Sequence, residues 1–443
     1  MRTLFTGLVC LGLLTSMVCG EEWRTYRGPD GQGHSDAKNL PTTWSETENI
    51  VWKTPVPGRA WSSPVFADGV IWLTNAVETH VDEKAVEKKD GKEKEKKKSH
   101  VPTSVNLRVV SLDATSGKLL SDTDLWTFPN PPEIHSLNSY ASPTPVLDGN
   151  LLLCHFGELG TAAFDIQTKK VLWKVILPAA LSVGAGSTPV VYGDLMLVVN
   201  DGMDQQYVVG LNKLTGAEVW KTNRPKMTGT NGDSHKAFAS PLLIKAAGRD
   251  QLVSPTAQWI ASYDPATGKE LWRVRHGDGF SNAPAPVVIG DLVCVCTGFF
   301  KPEILAIRLD GEGDVTESHI AWKISKQVPN MPSPVIAGEA IYFINDTGVA
   351  SCAKTSDGSV LWTKRISGNY ASSPIYADGK IYFSSREGKT TVLRHGQEYE
   401  EIAVNSLDGQ LMASPGVIGE SLLLRTNSHL YRIGGKAQSV AGK

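Results

Sequence analysis

The residues able to do chemistry in this chain of 443 residues are few, and hardly any fall into a reactive pattern. Cys294 and Cys296 lie two apart in the apolar run 291–297, so on a strand they share a face, near the upper limit of disulfide reach. They read as buried free thiols, because no second ligand pair stands nearby to make a metal site. Gly388-Lys389-Thr390 lacks the earlier glycine of a phosphate loop. Asp310-Gly311-Glu312-Gly313-Asp314 is a faint echo of a calcium loop and reads as a turn. No H-E-x-x-H, G-x-S-x-G or C-x-x-C-H occurs. No catalytic residue and no metal ligand is therefore assigned. What remains is a scatter of polar and aromatic residues: Arg59, Trp61, His135, Asn138, Tyr140, His235, Lys236, Asn282, Asn330, Asn369 and Tyr370. Brought together they could hold a ligand, with Tyr140 and Tyr370 offering flat faces. His235 and Lys236 would favour an anionic or carbonyl-bearing group.

The elements that would gather them are repeats. A small residue followed by proline and an apolar strand recurs as Ser63-Pro64-Val65, Ser142-Pro143, Thr188-Pro189-Val190 and Ser240-Pro241-Leu242. It returns as Ala285-Pro286-Val287, Ser333-Pro334-Val335, Ser373-Pro374-Ile375 and Ser414-Pro415. After a first interval of 79, the prolines stand 40 to 52 residues apart, the length of a four-stranded propeller blade. Each unit also carries a tight turn such as Asp113-Ala114-Thr115-Ser116-Gly117 and then a tryptophan: Trp173, Trp220, Trp272, Trp322 or Trp362. Ser121 and Ile402 replace the tryptophan in the first and seventh units. The proline suits the innermost strand of a blade, whose edge faces the channel and needs no ladder bond.

The fold expected is all-β: an eight-bladed β-propeller of four-stranded antiparallel blades. The last unit lacks its fourth strand, and Ile50-Val51-Trp52-Lys53 matches Glu270-Leu271-Trp272-Arg273, so an N-terminal strand closes the ring. In each blade the loop from the outer strand D to the next inner strand A ends at the channel mouth. All eleven candidate residues are expected there.

Arg2 and the apolar run Leu4–Leu14 lead to Gly20 and read as a signal peptide over residues 1–20, so the protein is expected to be exported, to the periplasm or beyond. Cys19 raises a lipid anchor, but Val18 fits that signal poorly. Residues 21–49 form an extended segment, 50–435 the propeller and 436–443 a tail. A Lys/Glu-rich insertion at 82–100 reads as a disordered loop in blade 1. No later run is long and apolar enough to be a membrane span, and a net charge of −2 disfavours nucleic acid. A monomer is expected, with an envelope protein or small ligand as partner.

These motifs resemble the repeats of the pyrroloquinoline-quinone-dependent alcohol dehydrogenases over roughly residues 50–433. In those enzymes the resemblance implies a quinone and calcium near the axis, often against a disulfide between adjacent cysteines. No two cysteines here are adjacent. The outer-membrane barrel-assembly lipoprotein uses the same propeller as a scaffold without catalysis. The phrase Trp23-Arg24-Thr25-Tyr26-Arg27-Gly28-Pro29, with Gly33, Leu40-Pro41 and Trp44-Ser45, is similar to a third branch of exported propellers with no assigned reaction. The resemblance implies a binding or scaffold propeller without a cofactor, with quinone-dependent oxidoreduction as the alternative.

Overall fold

In the computed structural model residues 22–80 and 101–434 are described. The expected leader, Cys19, the 82–100 insertion and the tail lie outside them.

Thirty-two strands build eight antiparallel sheets arranged as a ring, and two short strands extend the edges of blades 4 and 7. Blade 4 is representative: Leu242–Ala246, Arg249–Pro255, Trp259–Tyr263 and Glu270–Arg275 run from inner strand A to outer strand D. The N-terminal strand Ile50–Pro55 supplies strand D of blade 8, pairing Lys53 with Tyr431 and Pro55 with His429. The closure is reinforced by Arg425 of blade 8. It is buried and donates from Nη1 to Ser62 O at 2.9 Å and Thr74 O at 3.1 Å in blade 1.

The strand-D tryptophans explain why the turns carry glycine. Those of blades 8, 2, 3 and 5 lie against the strand C-to-D turn of the following blade, whereas Trp272 of blade 4 is fully buried and donates from Nε1 to Gln251 Oε1 of its own blade at 2.7 Å. A Cβ on Gly117 would come within 2.5 Å of Trp52, and one on Gly268 within 2.3 Å of Trp220. Gly216 and Gly358 meet Trp173 and Trp322 in the same way. The indole N–H groups of Trp52, Trp173 and Trp322 donate to the turn carbonyls of Ala114, Lys213 and Thr355 at 2.9–3.1 Å. The exceptions are coupled. Blade 1 carries Ser121 in place of tryptophan, and the facing turn of blade 2 has Lys169, at φ 56, in place of glycine. Trp362 meets a longer turn and packs on Tyr399, ring centroids 5.3 Å apart.

At the axis the small residue before each proline forms a belt. The N–H of Ser63 donates to Thr144 Oγ1, Thr144 to Thr188 Oγ1, and Thr188 to Ser240 Oγ, at 2.8–3.1 Å. Ala285 donates to Ser333 Oγ, Ser333 to Ser373 Oγ and Ser373 to Ser414 Oγ, at 2.9–3.0 Å. Blade 5 carries Ala285 and so offers no hydroxyl to blade 4. The belt corrects one register: in blade 2 the repeat is Thr144-Pro145-Val146, because strand A begins at Val146. Ser142-Pro143 lies in the loop before it.

The tryptophan contact yields a stability test. Gly268→Ala adds both left-handed strain, at φ +71, and a clash with the Trp220 ring. It is expected to cost about 3 kcal/mol. Gly290→Ala, with φ +58 but nothing within 4 Å, is the control. Strain alone should cost it about 1 kcal/mol. Denaturant melts of the two variants check the difference; equal losses would show that the indole does not clamp the turn.

Candidate functional site

The D-to-A loops are extended, so their side chains alternate in direction. The residue two before the belt position faces the channel in all eight blades. These residues are Trp61, Ser142, Gly186, Phe238, Ala283, Met331, Ala371 and Met412, and every one lines a single cavity of about 600 Å³. One residue earlier, the chain turns into six of the blades, where Ala60, Ala141, Ala237, Asn282, Tyr370 and Leu411 are buried, while Ala185 and Asn330 of the other two line the same cavity. The cavity is a funnel with apolar walls. Its floor is the belt, through Ser63, Thr144, Thr188, Ser240 and Ser414, together with Tyr26, whose hydroxyl lies 3.0 Å from Ser373 Oγ. Phe280 and Phe299 meet edge to face at the mouth, and Phe299 and Phe300 remain 54% and 69% exposed.

Of the eleven candidate residues, Trp61, His135, Asn138 and Asn330 line the funnel. Asn138 holds the neighbouring loop by donating to Val183 O and Ala185 O at 2.8 and 3.1 Å. Asn330 is fixed by Asp346, whose Oδ2 accepts from its N–H and Nδ2 at 2.8 and 3.1 Å. Asp346 Oδ1 accepts from Met331 N at 3.1 Å. Arg59 stands at the rim, its guanidinium 5.4 Å from the Trp61 ring.

The other six are elsewhere. Tyr140 is buried beneath the mouth and donates to Pro132 O at 2.7 Å; burial pushes its phenol up to about 12. Tyr370 is buried and donates to Ser367 O at 3.0 Å. Asn282 is buried and donates to Thr256 O at 3.1 Å. Lys236 turns away to Ser182 Oγ and Asp233 Oδ1, at 2.8 and 2.5 Å. His235 lies against Thr228 O at 3.2 Å, and Asn369 is half-buried and holds Glu387. The expected anion-favouring pair, His235 and Lys236, is thus absent from the funnel wall. The signal that finds the wall is positional: the residue two before each belt residue, whatever its polarity. Among the described residues, no group of three or more His, Cys, Asp or Glu gathers as metal ligands. Cys154, Cys294, Cys296 and Cys352 are buried and free.

Residues 105–298 and 256–412 match the PQQ-like repeat family described as outer membrane protein assembly factor BamB. The chain belongs to this family. BamB from Moraxella catarrhalis is similar in structure, with a TM-score of 0.55 at 14% identity, over 87% of this chain and 99% of that one. A europium-containing methanol dehydrogenase is similar with a TM-score of 0.62 at 10% identity, over 91% and 89%. The quinohemoprotein alcohol dehydrogenase from Comamonas testosteroni gives 0.61 at 10%, over 94% and 81%. At these identities the likeness is one of fold. Tetrathionate hydrolase of Acidithiobacillus ferrooxidans is 25% identical over 177 residues; the match spans 39% of this chain and 30% of that protein.

Within this family fold, residues 22–35 stopper the end of the channel opposite the funnel, and residues 39–49 run on over blades 7 and 8. Inner strands leave N–H groups unpaired at the axis. The segment answers four of them: Phe66, Leu147, Val288 and Tyr376 donate to Trp23 O, Arg24 O, Gln32 Oε1 and Gly33 O at 2.6–2.8 Å. His34–Ser35 adds a parallel strand to Tyr376–Ala377. Arg27 is buried, its Nη2 donating to Gln32 O and Pro334 O at 2.6 and 2.7 Å. His34 is gripped by Asp30 Oδ2 at Nδ1, 2.6 Å, and by Ile336 O at Nε2, 2.7 Å. Both acceptors are satisfied only by the protonated ring. Burial lowers its pKa, but the Asp30 hydrogen bond and charge outweigh this and raise it.

The stability His34 contributes is complete below the ordinary histidine value of 6.5 and is lost as pH rises through its raised pKa. Burial pushes His155 and His276 down to about 4, so their contribution is complete above 6.5 and is lost as pH falls toward 4. Asp30, its pKa lowered, adds to the acid loss. Melting temperature measured from pH 4 to 9 should peak near 6.5. His34→Gln should flatten the alkaline limb and keep the acid one. An unchanged alkaline limb would show that His34 does not anchor the stopper through its charge.

Proposed function

We propose that this protein is an exported binding propeller of the cell envelope, not an enzyme, which takes an apolar ligand or partner group into the funnel. The observation that carries this reading is the convergence of eight equivalent loop positions on one cavity, open at a mouth where Phe299 is exposed. A concave, mainly apolar cavity of this size with a few convergent polar groups is the usual form of a ligand site. The family match supports a binding or scaffold role, and the leader-like residues 1–20 support export.

The residues at the funnel do not fit a quinone with calcium. Pyrroloquinoline quinone is a polycarboxylate, and the funnel wall carries no Lys or Arg. Its one carboxylate, Asp346, is spent on Asn330 and the Met331 N–H, whereas calcium takes a shell of six or more oxygens. No step through such a cofactor is derived.

The apolar dye N-phenyl-1-naphthylamine tests the funnel. It should bind the parent with one-to-one stoichiometry. Ala283→Trp, which fills the wall, should weaken binding roughly tenfold or more at unchanged melting temperature. Tyr140→Ala should lower the melting temperature and leave dye affinity alone. Dye affinity insensitive to Ala283→Trp would move the site away from the funnel. A shifted quinone absorbance on mixing with pyrroloquinoline quinone and calcium would favour the oxidoreductase reading.

A further inference from the structure

The funnel continues at its rim into a notch of about 330 Å³, and the two share Trp61, Leu137 and Met412. The notch has the opposite character to the funnel. Arg59 and Arg386 both line it. Arg59 is held over Trp61 and donates from Nη2 to Ser136 O at 2.6 Å, which fixes its guanidinium without neutralising it. The guanidinium of Arg386 has no hydrogen bond or ion pair among the described residues. The acid beside it, Glu387, lines the notch as well; its Oε2 accepts from Asn369 N at 2.9 Å and its Oε1 from Asn369 Nδ2 at 2.8 Å, and among the described residues no ion pair joins it to Arg386. Asn369, a candidate residue placed outside the funnel, thereby holds both oxygens of that carboxylate.

The charges are therefore ordered along one path. The inner space is mainly apolar above a floor of hydroxyls, with no Lys or Arg and one carboxylate, Asp346, tied to Asn330 and the Met331 N–H. The rim offers two guanidinium groups, one of them unpaired. Leaving a half-buried guanidinium without a partner costs free energy that an anionic group would recover, and its planar fork matches a carboxylate. Resting on the reading of the funnel as a ligand site, we propose that its occupant is a small apolar carboxylate. The hydrocarbon body lies against Trp61, Phe238, Met331 and Met412, and the carboxylate is held at the rim by Arg386 and Arg59. This orientation keeps the charge hydrated at the mouth and spends the apolar wall on the body.

Titration calorimetry at pH 8 with dodecanoate and dodecan-1-ol tests the assignment, because the two differ only in the head group. In the parent protein dodecanoate should bind roughly tenfold more tightly than the alcohol. Arg386→Gln removes no internal hydrogen bond, so it should fold as the parent does and melt at the same temperature. It should lose most of the preference for the acid and keep its affinity for the alcohol. Equal affinity for acid and alcohol in the parent, or a preference untouched by Arg386→Gln, overturns the carboxylate assignment. If neither compound binds while N-phenyl-1-naphthylamine still does, the funnel stands and the proposed occupant is wrong. If the dye fails as well, the underlying reading of the funnel falls with it.

Discussion

Everything at the centre of this molecule depends on one bond made six times around the axis, from the N–H before an inner strand to a hydroxyl of the next blade. The residue bearing that N–H precedes a proline, which has none of its own and so fits an edge strand. With the belt fixed, the residue two positions earlier must point into the channel from every blade. The funnel is thus a consequence of the repeat rather than of any one loop. Its walls are uneven because the repeat leaves that position free to vary, from Gly186 to Trp61.

At the rim of the ring the restraint is the fit of an indole to a glycine turn. That coupling was legible in the sequence, since tryptophans and turn glycines recur together. The physical reason for its exceptions was not. Lys169 follows the blade with Ser121 because no indole presses on that turn, a relation visible only once strand D is seen against the next blade. The closing strand Ile50–Pro55 was legible because it repeats the pattern of the other outer strands.

The site was read less well, for a definite reason. Polar residues near the prolines include His235, Lys236 and Tyr140, whose side chains serve their own loop or the neighbouring one. The funnel wall is largely apolar, and apolar residues beside a strand look like core. The alternation of the extended loop, rather than residue polarity, separates Phe238 and Met331 from the buried Asn282 and Tyr370. Residues 22–35 carry no repeat, so nothing in the sequence announced that they meet the unpaired inner edges and place Tyr26 at the floor of the funnel. Their glycines, among them Gly33 at φ +87 packed against Arg27, were a sign of tight turns without a sign of where they dock.

The central claim is that the belt and the stopper together make a blind pocket that holds a small molecule. Its most direct test is mass spectrometry of the protein taken from its own cells, comparing native spectra with organic extracts of the denatured sample. The account predicts one apolar carboxylate per chain in the parent, and none in an Ala283→Trp variant prepared in parallel. An intact parent that carries no small molecule, or a variant that retains it in equal amount, would contradict the account.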